Sequence, residues 1–328
     1  MTQTLAELGE AELLRRLACF APPNQLSDDT AALAADPRPL LVNTDVLVDG
    51  IHFSNATINS MDVGWRAVAA NLSDLAASGA VTVEGITVAL VAPGHTSWDW
   101  VDGVYQGISA ALGQYGGILL GGDCSKGEQR LLSVTALGRL GPLRLHRNAG
   151  RPGDVLMTSG AHGLSRLGLA LLQDDPSVRD ITLSSTLRNQ AMARHCRPTP
   201  RLEEIQQLLA CKPDHLPWRA GGTDSSDGLL AAVASLCSSS GCGAVLKNDR
   251  LPVPEGWPEG PPWTDWCLAG GEDFELVLSL PEAWADAWQQ CVPETQRIGH
   301  INAEAGVIRW AHNNAEVVAC GFDHFHQP

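Results

Sequence analysis

The sequence predicts an α/β protein of two domains. Three observations carry that reading. Its 328 residues are roughly twice the common length of one domain. Strand-like apolar runs alternate with helix-periodic stretches. A Gly/Pro/Arg-rich joint, RNAGRPGD, breaks the composition near the middle. The expected boundary puts 1–146 in an N-terminal domain and 147–328 in a C-terminal one. PLLVNTDVLV, from Pro39, reads as a buried strand that Asp45 closes. Between Met61 and Ser78 the apolar residues Val63, Ala67, Val68, Leu72 and Leu75 recur at helical spacing, with Gly79 as the stop. VTVEGITVALVAP is a strand ended by Pro93, and a helix follows over 96–115. GILLGGD and RLLSVTALGRL are two more strands. Past the joint, DVLMTSG is a strand running into a glycine-rich turn and a helix near Leu164–Leu172. Thr199 and Pro200 form a helix start, the hydroxyl capping and the proline in the first turn. A helix from Asp227 to about Ser239, a strand at FELVLSL and a helix after Pro281 complete the second half. LPVPEGWPEGPPW is an exposed loop. Each half carries a strand followed by an acidic turn, as two similarly built domains would.

Composition excludes several classes of function. Acidic side chains number 37 against 22 basic, a formal charge of −15, so phosphate-rich nucleic acid would be repelled. No apolar run reaches the roughly 20 residues of a membrane helix. The start, MTQTLAELGEAELLRRL, lacks the pattern of a signal peptide. Nine cysteines occur without a CxxC pair, which suits reduced thiols in a cytosol and argues against a zinc ribbon. In a cytosolic chain the sequons at Asn55 and Asn71 carry no meaning. The three lysines, Lys126, Lys212 and Lys247, lie outside any GxxxxGK(S/T) context, so phosphate chemistry here would not use a P-loop.

The acids concentrate at the ends of elements. Asp28 and Asp29 stand in QLSDD, Asp45 in NTDVLVDG, Asp74 in NLSDLAASG, Asp123 in GGDCSKG, Asp224 and Asp227 in TDSSDGLL, and Glu272 and Asp273 in GGEDFEL. Any one of them can be a cap or a turn former. Asp74 is harder to read so, because the dipole near a helix C-terminus disfavours an anion by about 0.3–1 kcal/mol. A bound cation reverses that preference. Carboxylates, the Thr44 hydroxyl and the Asn43 amide form an oxygen-only set, which points to a hard ion such as Mg²⁺ rather than Zn²⁺. Arg147 and Arg151 in one segment, and Arg194, Arg197 and Arg201 in RHCRPTPR, suit phosphate recognition, or are surface arginines at a joint. His52, beside Gly50 at a strand end, reads equally as a partly buried structural histidine.

The ordered series DDTAAL, NTDVLVDGIHF, VGWRAVAANLSDLAASGA, GGD, RNAGRPGD, RHCRPTPR, SDGL, GGEDFEL and GFDHF resembles the thiamine-monophosphate kinases, from about Asp28 to Phe325. That family belongs to the PurM-like (aminoimidazole-ribonucleotide-synthetase-like) superfamily. The resemblance implies a two-domain PurM-like fold of α/β (α+β) class and a cytoplasmic homodimer in which N-terminal sheets pair. It implies a groove between the domains for nucleotide and metals. The reaction implied is ATP-dependent phosphorylation of thiamine monophosphate to thiamine diphosphate, with several Mg²⁺ ions. Carried over position by position, metal ligands fall on Asp29, Asn43, Thr44, Asp45, Asp74, Asp123, Asp224 and Asp227. ATP contacts fall on Tyr105, Gly122, Asp123, Arg147 and Ser226. The thiamine phosphate falls to His52, Glu272 and Phe322. Catalysis falls to Asp45, Asp74, Asp123 and Arg147, without a phosphoenzyme. QLSDD, Asn43 and GGDC depart from the family's commoner residues. Alternatives are another ATP-dependent enzyme of the superfamily, selenophosphate-synthetase-like or aminoimidazole-ribonucleotide-synthetase-like, and a nucleotide- and metal-binding regulator without turnover. Cys19, in the helical LLRRLACF, is poorly placed for the reactive cysteine of the first.

Overall fold

The computed structural model describes residues 3–318. The chain divides into two compact units: residues up to Leu75 with Ala80–Leu140, and Ala76–Gly79 with everything from Gly141.

In the first unit, α1 (Leu5–Leu8) and α2 (Glu10–Leu17) precede β1 (Leu40–Val48), α3 (Ser60–Ala77), β2 (Ala80–Ala92), α4 (Trp98–Tyr115), β3 (Ile118–Lys126) and β4 (Leu131–Leu140). The four strands lie in the order β1-β4-β2-β3, with β2 and β3 parallel and the other pairs antiparallel. One side of the sheet supplies Ile86, Val88, Leu90, Leu132, Val134 and Ala136 to the core. All five apolar positions expected on the face of α3 are buried, and α4 adds Val101, Val104, Ile108 and Leu112. The two helices touch backbone to backbone. A Cβ on Gly107 would stand 1.8 Å from the Met61 carbonyl oxygen, and one on Gly64 1.9 Å from that of Val104. The opposite side of the sheet stays open: Val42 is 59 % exposed, with Leu40, Val46 and Ile118 near 41 %.

The second unit runs β5 (Val155–Thr158), α5 (Leu164–Leu172), α6 (Pro176–Arg179), α7 (Ser185–Cys196), α8 (Leu202–Ala210), β6 (Gly221–Asp224), α9 (Leu229–Ser240), β7 (Gly243–Leu246), α10 (Trp263–Ala269), β8 (Leu276–Leu280), α11 (Glu282–Cys291), β9 (Gln296–Asn302) and β10 (Ile308–Trp310). Its six strands lie in the order β10-β7-β9-β5-β8-β6, with β7 and β10 parallel and the rest antiparallel. Leu156, Leu229, Val233, Leu236, Val277 and Ile298 centre one core, and Leu167, Leu187, Ala191, Trp263 and Trp266 another.

Local readings and structure part company at four places. The LPVPEGWPEGPPW stretch is only partly exposed, because Leu251 and Val253 pack against one core, Trp257 against the other, and Trp263 is buried at the start of α10. Asp45 does not close β1, which continues to Val48 because Val46, Leu47 and Val48 keep pairing with β4. The helix expected at Thr199–Pro200 begins at Leu202, with Arg201 in the N-cap position and no side-chain cap. Arg201 is instead drawn to Glu204 and Glu275. The strand at FELVLSL starts only at Leu276, because the preceding residues form a tight turn with positive φ at Glu272 and Phe274.

Candidate active site

Alternation along β1 builds the first cluster. Leu41 and Leu47 face the core while Val42, Thr44 and Val46 are exposed, so Asn43 and Asp45 share the core side of the strand. There α3 meets them. Asn43 Nδ2 donates to Asp74 Oδ2 and to Asn71 Oδ1, each at 3.1 Å. The Asp45 N–H donates to the same Asn71 oxygen at 3.2 Å. Asn71 is fully buried and anchored by donation to the Ala67 carbonyl at 2.9 Å. It is the hinge of this cluster, and sequence reasoning passed over it. Asp74 stands in the last turn of α3, which holds no basic residue, as the dipole argument requires. Asn43 Oδ1 is buried without a hydrogen-bond partner. An orphaned amide oxygen on the strand side that also carries Asp45, in a residue bonded to Asp74, fits a hard divalent cation, which takes one or two carboxylates and fills its shell with water and phosphate oxygens. Among the described residues no group of three or more His, Cys, Asp or Glu side chains is arranged to hold a metal by itself.

Other expected residues of this unit lie elsewhere. The Thr44 hydroxyl pairs with that of Thr135 at 2.8 Å on the open side of the sheet. Asp29 is exposed in the loop before β1, its N–H bonded to Asp28. Asp123 is exposed on β3, at the opposite edge of the sheet from β1. The preceding Gly122 approaches β2 so closely that a Cβ would lie 2.0 Å from the Val88 carbonyl oxygen, a structural need for glycine beside the functional one. His52 accepts the Val48 N–H at Nδ1 (3.1 Å). Tyr105 is buried against Phe20, and that burial raises its phenol above the ordinary range.

The second cluster gathers at the C-terminal end of β6. Arg147 sits on a short exposed 3₁₀ turn, with Nε donating to Thr223 Oγ1 at 3.1 Å. Next along β6 is Asp224, 5 % exposed, whose Oδ1 accepts from Ser226 Oγ at 3.2 Å. Asp227 is exposed in the turn that leads into α9. Glu272 joins through its backbone, its N–H donating to the Ser226 carbonyl at 2.7 Å. Thus Arg147, Asp224, Ser226 and Glu272 come together along one sheet edge. Phe322 lies outside the described residues.

Behind this cluster is a buried ionic network that the sequence did not announce. Glu275 is wholly buried and accepts from Arg194 Nη1 at 2.7 Å, from Arg201 and from Ser159 Oγ. Burial alone would raise its pKa, but the two guanidinium charges outweigh it and hold the carboxyl down at about 2. Two of the three RHCRPTPR arginines are therefore committed to an internal acid. Arg194 and Arg201 also border a cleft of about 890 Å³, with Arg197, Thr199 and Gln190. Asp273 accepts the N–H groups of Gly163 (2.7 Å) and Ser165 (2.9 Å) at the start of α5. Burial nevertheless pushes it up to about 7, against the pull of those donors. His162 is fully buried with neither ring nitrogen in hydrogen-bond geometry, and burial lowers its pKa to about 4.

Known proteins resemble the chain over nearly its whole length. Residues 27–140 match the family described as AIR synthase related protein, N-terminal domain. The chain is 51 % identical over 325 residues to a thiamine-monophosphate kinase of Prochlorococcus marinus, covering 98 % of each. It is 43 % identical over 328 residues to the thiamine-monophosphate kinase of Synechococcus elongatus, again covering 98 % of each. Among solved structures it is similar to AaThiL complexed with AMPPCP and TMP, at 27 % identity and a TM-score of 0.75, covering 99 % of this chain and 100 % of that one.

Proposed function

The chain belongs to the thiamine-monophosphate kinase family, and from that premise we propose how its own residues transfer a phosphoryl group from ATP to thiamine monophosphate. The products are thiamine diphosphate and ADP. One observation supports the assignment of roles: Arg147, Asp224 and Ser226 meet at the end of β6, a cation, a carboxylate and a hydroxyl on one short stretch of sheet edge, and the backbone of Glu272 is bonded to the same loop.

The acceptor is a phosphate oxygen, already ionised near neutral pH, so the reaction needs no strong protein base. Its obstacle is repulsion between two polyanions, and positioning with charge neutralisation lowers it. The exposed guanidinium of Arg147, fixed by Thr223, binds nucleotide phosphate, with Ser226 and Gly122–Asp123 as further ATP contacts. Glu272, His52 and Phe322 take the thiamine phosphate. Magnesium, when bound, supplies charge neutralisation and would be held by Asn43, Asp45 and Asp74 in the first unit and by Asp224 and Asp227 in the second. Asp29 and Asp123 are further candidate ligands, and Thr44 only through its backbone, since its hydroxyl pairs with Thr135 on the open side of the sheet. Direct transfer fits this inventory, since the acceptor oxygen is already ionised and the reaction needs no enzyme-bound intermediate.

The protein acts as a homodimer, with the N-terminal sheets of two copies packed on the side that leaves Leu40, Val42, Val46 and Ile118 exposed. Exposed apolar side chains on both edge strands of this sheet side, β1 and β3, support that reading. No helix among the described residues is long and apolar enough to cross a membrane, and the eight described cysteines are free thiols, consistent with a cytosolic setting. The test is ADP release with and without thiamine monophosphate. Stimulation by that acceptor is expected, whereas stimulation only by a different phosphoryl acceptor, or by none, would remove the assignment.

A further inference from the structure

Glu275 is a wholly buried acid of the second unit that two arginines grip, and the chemistry above does not use it. Its carboxylate fills the place a larger residue at 160 would need: a Cβ on Gly160 would stand 2.8 Å from Glu275 Oε1. Stability alone gives little reason for such a buried ion cluster, because well-packed apolar residues of equal volume often do as well. What the cluster holds is backbone. Gly271, Glu272 and Phe274 all have positive φ, of 68°, 56° and 54°. For the two that are not glycine the conformation is strained and persists only if neighbours over-determine it. Asp273 ties one flank to the start of α5. Glu275 ties the other: its N–H donates to Ser225 Oγ at 3.1 Å, while Ser159 Oγ bridges its carboxylate and the Leu276 N–H. Together with the Glu272–Ser226 bond, this fastens the turn to the 225–227 loop at two points.

We infer that Glu275, gripped by Arg194 and Arg201, is a positioning residue that makes the Glu272 turn and the Ser225–Asp227 loop one rigid piece, so that acceptor and donor phosphates are registered together. The inference rests on the proposed roles of Glu272, Asp224, Ser226 and Asp227. The experiment compares Glu275→Gln and Ser225→Ala with wild type in KM for both substrates, kcat, melting temperature and amide exchange over 271–276. Misplacement by a fraction of an ångström to about 1 Å should lower kcat/KM by up to about 100-fold for Glu275→Gln. Ser225→Ala, which removes one hydrogen bond, should shift it in the same sense by about 5- to 10-fold. Both KM values should rise together, and the Glu272 and Glu275 amides should exchange faster. Folded variants with a lower melting temperature but both KM values within about twofold of wild type would overturn the inference. If Glu275→Gln fails to fold with Arg194 left unpaired, Ser225→Ala decides on the same readouts. Glu272→Gln separates the two ideas. Should it leave KM for thiamine monophosphate unchanged, the role of Glu272 falls, while the ATP KM and the amide exchange of the other variants still judge the clamp.

Discussion

Replacing Asn71 by alanine tests how the first cluster is assembled. One Asn71 oxygen accepts from both Asn43 and the Asp45 backbone, at 3.1 and 3.2 Å, in a wholly buried position. Alanine leaves the Asp45 N–H without that acceptor, at about 1–3 kcal/mol for an unsatisfied buried donor. Asn43 retains Asp74 as a partner, so its lost bond adds only about 1 kcal/mol. The bond to Ala67 adds little, because that carbonyl lies within α3. The expected loss is therefore about 2–4 kcal/mol of local stability. Hydrogen exchange read on the peptide spanning Asp45 should accelerate by about 30-fold or more, since 2 kcal/mol is a factor near that size. Held then by Asp74 alone, Asn43 should also lose the fixed orientation of its orphaned oxygen, raising the Mg²⁺ concentration needed for half-maximal turnover. Unchanged exchange at Asp45 together with an unchanged Mg²⁺ midpoint would refute the reasoning.

Further outcomes follow from the same geometry. With Asp45 and Asp74 in the proposed role of Mg²⁺ ligands, Asp45→Asn and Asp74→Asn should each cut turnover by about 100-fold or more with the melting temperature retained; activity within tenfold of wild type (about 1.4 kcal/mol) would speak against the assignment. Glu272→Gln should raise KM for thiamine monophosphate while leaving nucleotide affinity, measured by calorimetry, near wild type. His162 offers a pH test, because its folded pKa of about 4 lies below the unfolded 6.5. Its stabilising contribution is present above pH 6.5 and lost as pH falls toward 4, by about 3 kcal/mol in all at 1.4 kcal/mol per unit. Asp273, raised from 3.8 to about 7, acts oppositely, losing its contribution as pH rises through that window. The stability gap between wild type and His162→Phe isolates the histidine: it should narrow on acidification, and a constant gap in urea titrations from pH 7 to pH 4 would show that His162 is not held neutral.

How far the sequence could be read depended on the range of the interaction. Helical spacing identified the buried face of α3 because periodicity is local, and its five apolar positions are all buried. The placement of Asp74 near the end of that helix was legible for the same reason. Asn71 was not, since its role lies in partners 26 and 28 residues away on β1, and its own neighbourhood shows only a sequon. Arg194 and Arg201 show charge in the sequence but not the acid that claims it, 81 and 74 residues further on. A carboxylate at Glu275, lodged in an otherwise apolar strand start, was the available sign that a buried cation had to come from somewhere. The late start of β8 was invisible too, because FELVLSL has strand composition throughout while left-handed φ at Glu272 and Phe274 reflects long-range anchoring rather than propensity.

The most direct measurement is a rapid-quench single turnover with γ-labelled ATP, thiamine monophosphate and Mg²⁺. Label should pass from ATP into thiamine diphosphate at the rate ATP disappears, with none retained on the protein. Label trapped on an aspartate, or released as free phosphate while thiamine monophosphate stays untouched, would contradict direct transfer between two substrates aligned by these carboxylates and Arg147.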